Sequence, residues 1–141
     1  MGYSSRKEYD AALLELDTML ARMGHAAGNA IGSALEALRT GNKELARTII
    51  AGDTEIDNLE REVEHRCLTL ILRQQPVATD LRKVTTAMKM VTDIERIADQ
   101  ASDIAEIVLH LDYGVVQTFD FMDDIYRMGD LVLGMVKQAI G

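Results

Sequence analysis

The chain has 141 residues, 48% of them hydrophobic, and a net charge of −8, so it is long and apolar enough for one domain with its own core. The acidic balance excludes the basic footprint of a nucleic-acid-binding protein, and the single cysteine, Cys67, excludes an intrachain disulfide. No apolar run approaches the roughly 18 residues that a membrane span requires.

One proline, no tryptophan and an abundance of Ala, Leu, Ile and Met point to an all-α chain. The lone cysteine fits a reducing compartment. The opening "MGYSSRKEYD" carries no apolar signal core. The expectation is a soluble, cytoplasmic protein with no membrane insertion and no nucleic-acid partner.

Residues 6–40 carry the first helical pattern. Leu13, Leu16, Leu20, Met23, Ala27, Ile31, Ala34 and Leu38 recur at intervals of three and four. Gly24, Gly28 and Gly32 add a glycine at every fourth position, each costing up to about 1 kcal/mol of helix propensity against Ala. Three on one face predict that another helix comes close there. "TGN" at 40–42 is a break: Gly41 suits a helix C-terminus and Asn42 the next N-cap.

The second pattern runs over 43–74. Leu45, Ile49, Gly52, Ile56, Leu59, Val63, Cys67 and Leu70 make a near-heptad stripe, which makes Cys67 a core residue. Pro76 ends this helix, because proline cannot donate the next helical hydrogen bond. The third pattern covers 79–110, with Thr79 or Gln75 as its cap and Asp80 placed favourably for the helix dipole. Each of these helices is roughly 45–50 Å long. Three long helices joined by tight turns predict an antiparallel bundle. "LDYGVVQT" at 111–118 is loop-like, and a fourth pattern at 119–140 places Met122, Ile125, Met128 or Gly129, Val132, Met135, Val136 and Ile140 on one stripe.

The chemistry lies in the acids. Asp53 and Asp57 are one turn apart on the second helix, and Glu95 and Asp99 have the same spacing on the third, with Asp103 one turn further. Glu95 falls inside the apolar stripe, between Val91 and Ala98. Antiparallel neighbours can pool these two pairs. Pooled carboxylates repel unless something compensates. Hard cations do it, Fe³⁺, Mn²⁺, Mg²⁺ or Ca²⁺, with Zn²⁺ also able to accept oxygen ligands. Arg61, Arg82 and Arg96 could do it instead as salt-bridge partners, which is the ordinary fate of a charged helix face.

Glu62 and His65 form one Glu-x-x-His pair, whereas a di-iron carboxylate bundle uses two such helices, so His65 reads as a surface or rim histidine. No glycine-rich phosphate loop, paired-cysteine site or hydrolytic triad pattern stands out. The residues alone therefore leave a metal-binding bundle, a metal-free helical adaptor and, less favoured, a di-iron carboxylate enzyme.

The stretch "GDTEIDNLEREVEHRCLTLILRQQPVATDLRKVTTAMKMVTDIERIADQASDIAE" resembles the PhoU family almost end to end, and "LLELDTMLARMG" resembles that family's first helix. The resemblance covers about residues 8–110. It implies a cytoplasmic, all-α protein built from three-helix halves that is an accessory regulator rather than an enzyme. Such proteins link a phosphate ABC transporter to a sensor histidine kinase and repress the phosphate-starvation response. Their acidic motifs bind iron or zinc clusters, which nominates Asp53, Asp57, Glu95 and Asp99 as metal ligands here. Asp103 stands where asparagine is common in the family.

One departure is large. A usual member has two halves in tandem, whereas no second "DLR" or "ERIAD" follows here. The expectation is one domain over 1–141: a three-helix unit plus a fourth helix that is a truncated second repeat. A partner chain would supply the other half, or the fourth helix would close the bundle, or the sequence is a piece of a longer protein. A homo-oligomer, a dimer for preference, would cover apolar surface left on that fourth helix.

Overall fold

The computed structural model describes residues 2–74 and 78–111 and, towards the C-terminus, residues 127, 129–131, 133–135 and 138. Three helices make up most of it: α1 (Gly2–Thr40), α2 (Lys43–Gln74) and α3 (Ala78–His110). The described C-terminal residues from Arg127 to Gln138 are also helical. Helix α1 begins at Gly2, four residues before the expected start at residue 6. Helix α3 starts at Ala78, so Thr79 lies inside its first turn and does not cap it from outside. Gln75 and Pro76 lie outside the described residues.

The α1–α2 turn is made by two residues. Gly41 takes φ 69°, the left-handed conformation that ends a helix at little cost for glycine. This lets the Asn42 N–H reach back to the Ala37 carbonyl at 3.1 Å. The side-chain oxygen of Asn42 then accepts the Leu45 N–H at 3.0 Å, and its carbonyl accepts the Ala46 N–H at 3.1 Å. One asparagine thus closes α1 and caps α2.

Cross-contacts fix the topology. Arg6 pairs with Asp80, so the starts of α1 and α3 are level and the two helices run in the same direction. Arg66 pairs with Glu15, which sets α2 antiparallel to both. The core has two sections. The first gathers Leu16, Met23 and Ala27 of α1, Ile56, Val63 and Cys67 of α2, and Val84, Val91 and Ala98 of α3. The second gathers Ile31, Ala34 and Leu38 with Ala46, Ile49, Ala101, Ala105 and Val108. The α3 side of the second section is built largely from small residues, Ala101 and Ala105.

Most of the expected stripes are buried, with one exception on α2: Gly52 is exposed, and nothing lies within 4 Å of a Cβ placed on it. The α1 glycines behave as their spacing suggested. Gly24 and Gly28 are buried, and Leu133 of the C-terminal segment lies 3.7 Å from where a Cβ on Gly32 would stand. Gly129 in turn sits so close to Leu35 that a Cβ there would clash with the Leu35 side chain.

These contacts correct the phase of the fourth pattern. Leu133 packs on the core, whereas Met135, expected on the stripe, is 67% exposed. The face is set by where Gly129 permits close approach, four residues before Leu133. Met122, Ile125, Met128, Val132, Val136 and Ile140 lie outside the described residues.

Candidate metal centre

The antiparallel register of α2 and α3 lays two acidic rows along one seam. On α2, Asp53, Asp57 and Glu60 fall at i, i+4 and i+7, the positions that share a helix face. On α3, Glu95 and Asp99 oppose them. Two triads result, Asp53–Asp57–Asp99 and Asp57–Glu60–Glu95. In each, one carboxylate oxygen per residue lies within 4.8 Å of the others. Asp57 belongs to both triads. The four carboxylates nominated from sequence are therefore together, joined by Glu60. Asp103 is exposed and belongs to neither triad.

Glu60 was legible by the argument applied to Glu95. It follows Leu59 and stands four after Ile56 and three before Val63, within the apolar stripe of α2.

The seam is electrostatically uncompensated by protein. Among the described residues, no Lys, Arg or His nitrogen lies within 4 Å of these five carboxylates. Arg61 bonds instead to Asn58 at 3.5 Å, Arg82 lines a groove between α1 and α3, and Arg96 is exposed. The salt-bridge role considered for these three is not what the structure has. Two unit charges 4.8 Å apart repel by about 3.5 kcal/mol at an effective dielectric constant of about 20, and closer ones by more.

The titration of the seam reflects burial first and that repulsion second. Burial, and then the charges of Asp57 and Asp99, push the Asp53 carboxyl above its ordinary value, with Ser102 opposing through a hydrogen bond. The Oδ1 atom of Asp53 is nevertheless buried without a hydrogen-bond partner. Burial, followed by hydrogen bonding and repulsion with Glu95 and Glu64, pushes Glu60 up to about 7. A buried acceptor with no donor and two carboxylate triads that share Asp57 fit a hard cation. The absence of His and Cys from both triads suits iron(III), manganese or magnesium better than a zinc site, which favours nitrogen and sulfur.

The remaining singled-out groups lie elsewhere. His65 is exposed and lines a groove between α1 and α2 with Glu62, Arg66 and Arg73. It is in neither carboxylate triad, so the Glu-x-x-His pair does not form a bundle-core site. Cys67 is buried in the core, and its thiol is pushed up to about 11 by burial and by Glu64. Sequence reasoning missed one polar cluster altogether. Asp80 is buried, accepts a 2.5 Å bond from Arg6, and its carbonyl accepts the Tyr9 hydroxyl at 3.2 Å. The Arg6 guanidinium also stacks over the Tyr9 ring at 5.5 Å. These partners are more than 70 residues apart in sequence.

Fold and seam together define a class: an all-α bundle of long helices whose second and third members share a row of facing carboxylates. The chain belongs to the PhoU family, whose PhoU domain matches residues 20–108. It is 38% identical to the phosphate-specific transport system accessory protein PhoU homolog of Clostridium acetobutylicum, over 96% of this chain and 62% of that protein. It is 36% identical to the homolog of the same description from Aquifex aeolicus, over 89% of this chain and 60% of that one. The phosphate transport system regulatory protein PhoU from Streptococcus pneumoniae has a similar solved structure, with a TM-score of 0.82 and 30% identity over 94% of this chain and 61% of that one. The chain thus spans about three fifths of the length of these relatives. No helix among the described residues is long and apolar enough to cross a membrane.

Proposed function

We propose that this chain is an accessory regulator of a phosphate transport system that restrains the phosphate-starvation response and acts by docking rather than by catalysis. Its partners are the cytoplasmic side of a phosphate ABC transporter and a sensor histidine kinase. The observation that carries this reading is membership of the PhoU family across the three helices, with relatives described as accessory proteins of phosphate-specific transport.

In this reading the acidic seam is a metal clamp. Asp53, Asp57, Glu60, Glu95 and Asp99 hold one or two cations, with iron favoured over zinc by the all-oxygen donor set. A bound ion supplies positive charge that neutralises the seam. The chain's own part is to hold five carboxylates in register across α2 and α3, so that the partners meet a fixed helical surface. Zinc, manganese, magnesium and calcium are the competing occupants.

The test is genetic. In the organism that encodes it, deletion of this chain should raise phosphate-starvation gene expression in phosphate-rich medium, and the wild-type chain should restore repression. Unchanged starvation-gene expression and phosphate uptake after deletion would overturn the proposal. The metal-free adaptor reading is favoured instead if Asp57→Ala/Glu95→Ala restores repression as fully as the wild type.

A further inference from the structure

The end of the bundle at which α1 and α3 start and α2 finishes differs in charge from the rest. The pairs Arg6–Asp80 and Glu15–Arg66 fix the relative heights of the helices, and they bring Lys7, Leu72, Arg73, Leu81, Arg82 and Lys83 to within about one turn of the same level. Over residues 6–10, 72–73 and 78–83, cations outnumber acids five to three, although the whole chain carries a net charge of −8. One of those acids, Asp80, is buried against Arg6. Among the described residues Lys7, Arg73, Arg82 and Lys83 make no ion pair. At the opposite end Arg39 and Arg47 are each paired with a glutamate of their own helix. Two leucines stand among the free cations, Leu72 at 74% exposure and Leu81 at 38%. Leu68, one turn back from Leu72 on the same side of α2, is 50% exposed.

We infer that this end of the bundle docks on the surface of an anionic lipid bilayer. The free cations come from three different helices at one height, so they surround the end instead of lining one side of it. A surface that meets all of them is a plane across the bundle axis, which is what a bilayer offers. The cations meet lipid phosphates, and Leu72 and Leu81 enter the interface, where apolar side chains leave water. Held end-on, the bundle carries its acids away from the lipid. Glu62 and Glu64 lie eight or more residues back from Leu72, about 12 Å along the axis. That exceeds the Debye length of about 8 Å at physiological salt, so their repulsion is screened. The seam at Asp57 lies further still. The chain adsorbs without crossing, since no helix among the described residues is long and apolar enough to span. This placement does not depend on the regulatory reading above.

Flotation of the full chain with protein-free vesicles tests this, comparing phosphatidylcholine alone with phosphatidylcholine containing about 30% phosphatidylglycerol. The wild type should float with the anionic vesicles and not with the neutral ones, and raising salt from about 0.1 to about 0.5 M should release it. Each cation near such a surface strengthens binding about fivefold, so Arg82→Glu/Lys83→Glu should weaken it about tenfold or more. Leu72→Asp should weaken it as well, with an unchanged melting temperature, because Leu72 is solvent-exposed in the free chain. Lys43→Glu, at the opposite end, should leave binding as it is. No flotation with anionic vesicles would overturn the inference, and so would equal flotation with neutral ones. Binding that survives Arg82→Glu/Lys83→Glu but is lost in Lys43→Glu would overturn it by placing the contact at the other end. Binding to native membranes that protease treatment of those membranes abolishes, with none to protein-free vesicles, would overturn it in favour of a membrane protein as the occupant.

Discussion

Glu60 gives the acidic seam a measurable signature in the metal-free protein. Its carboxyl moves from 4.5 to about 7 on folding, driven by burial and then by Glu95 and Glu64. At about 1.4 kcal/mol per pH unit, that difference corresponds to about 3 kcal/mol disfavouring its ionisation. Solvent reaches the side chain in part, so about 1–2 kcal/mol survives screening. The folded-state value lies above the unfolded one. The stabilisation is therefore complete below pH 4.5 and is lost as pH rises through 7. At pH 8 the wild type carries a charge that its neighbours repel. Glu60→Gln removes that charge with little change of shape. In chelator-treated protein at pH 8 it should gain about 1–2 kcal/mol in urea unfolding followed by circular dichroism, or about 3–6 °C in melting temperature. At pH 4 the variant and the wild type should be nearly equal. With a hard cation present the sign should reverse, because Gln removes a charged ligand. A variant that is equally destabilised at both pH values without metal would refute the reasoning, since Glu60 would then contribute packing rather than repulsion.

Other perturbations follow from single contacts. Asp80→Ala should cost about 1–2 kcal/mol in urea unfolding by removing the Arg6 bond, while Tyr9→Phe should cost about 1 kcal/mol through the bond to the Asp80 carbonyl. Gly41→Ala should lose about 1 kcal/mol because φ 69° strains any residue with a Cβ, whereas Gly32→Ala should gain about 0.5–1 kcal/mol, its Cβ meeting Leu133 at ordinary contact distance. Cys67 should resist thiol reagents at pH 8 until the protein unfolds, because burial holds its thiol up at about 11, and rapid labelling of native protein would contradict that placement.

The bundle was legible because helical period is a local signal. The stripes Leu16–Met23–Ile31 and Ile56–Val63–Cys67 repeat over many turns, and Gly41–Asn42 carries its turn chemistry in two residues. The facing of Asp57 with Glu95 was legible too. Once two antiparallel helices carry acids at i and i+4, only the register remains open. The rest depended on information that spacing does not hold. The spacing places Glu60 on the face of Asp53 and Asp57, but which α3 acid it meets depends on the α2–α3 register. The Arg6–Tyr9–Asp80 cluster joins chain segments that only tertiary packing brings together, so Asp80 read as a dipole residue when it is a buried pairing partner. The C-terminal phase failed at Met135 because several apolar residues there satisfy the period equally. The choice among them falls to Leu133, where α1 offers Gly32.

The central claim is that the carboxylates of α2 and α3 hold a metal ion. Metal content per chain by mass spectrometry, on protein purified without chelator or histidine tag, tests it directly when run beside Asp57→Ala/Glu95→Ala. The account predicts stoichiometric metal in the wild type, iron before zinc, and its loss in the double variant, which removes the residue shared by both triads. No bound metal in either protein after incubation with iron and zinc would contradict it, and so would equal metal in both.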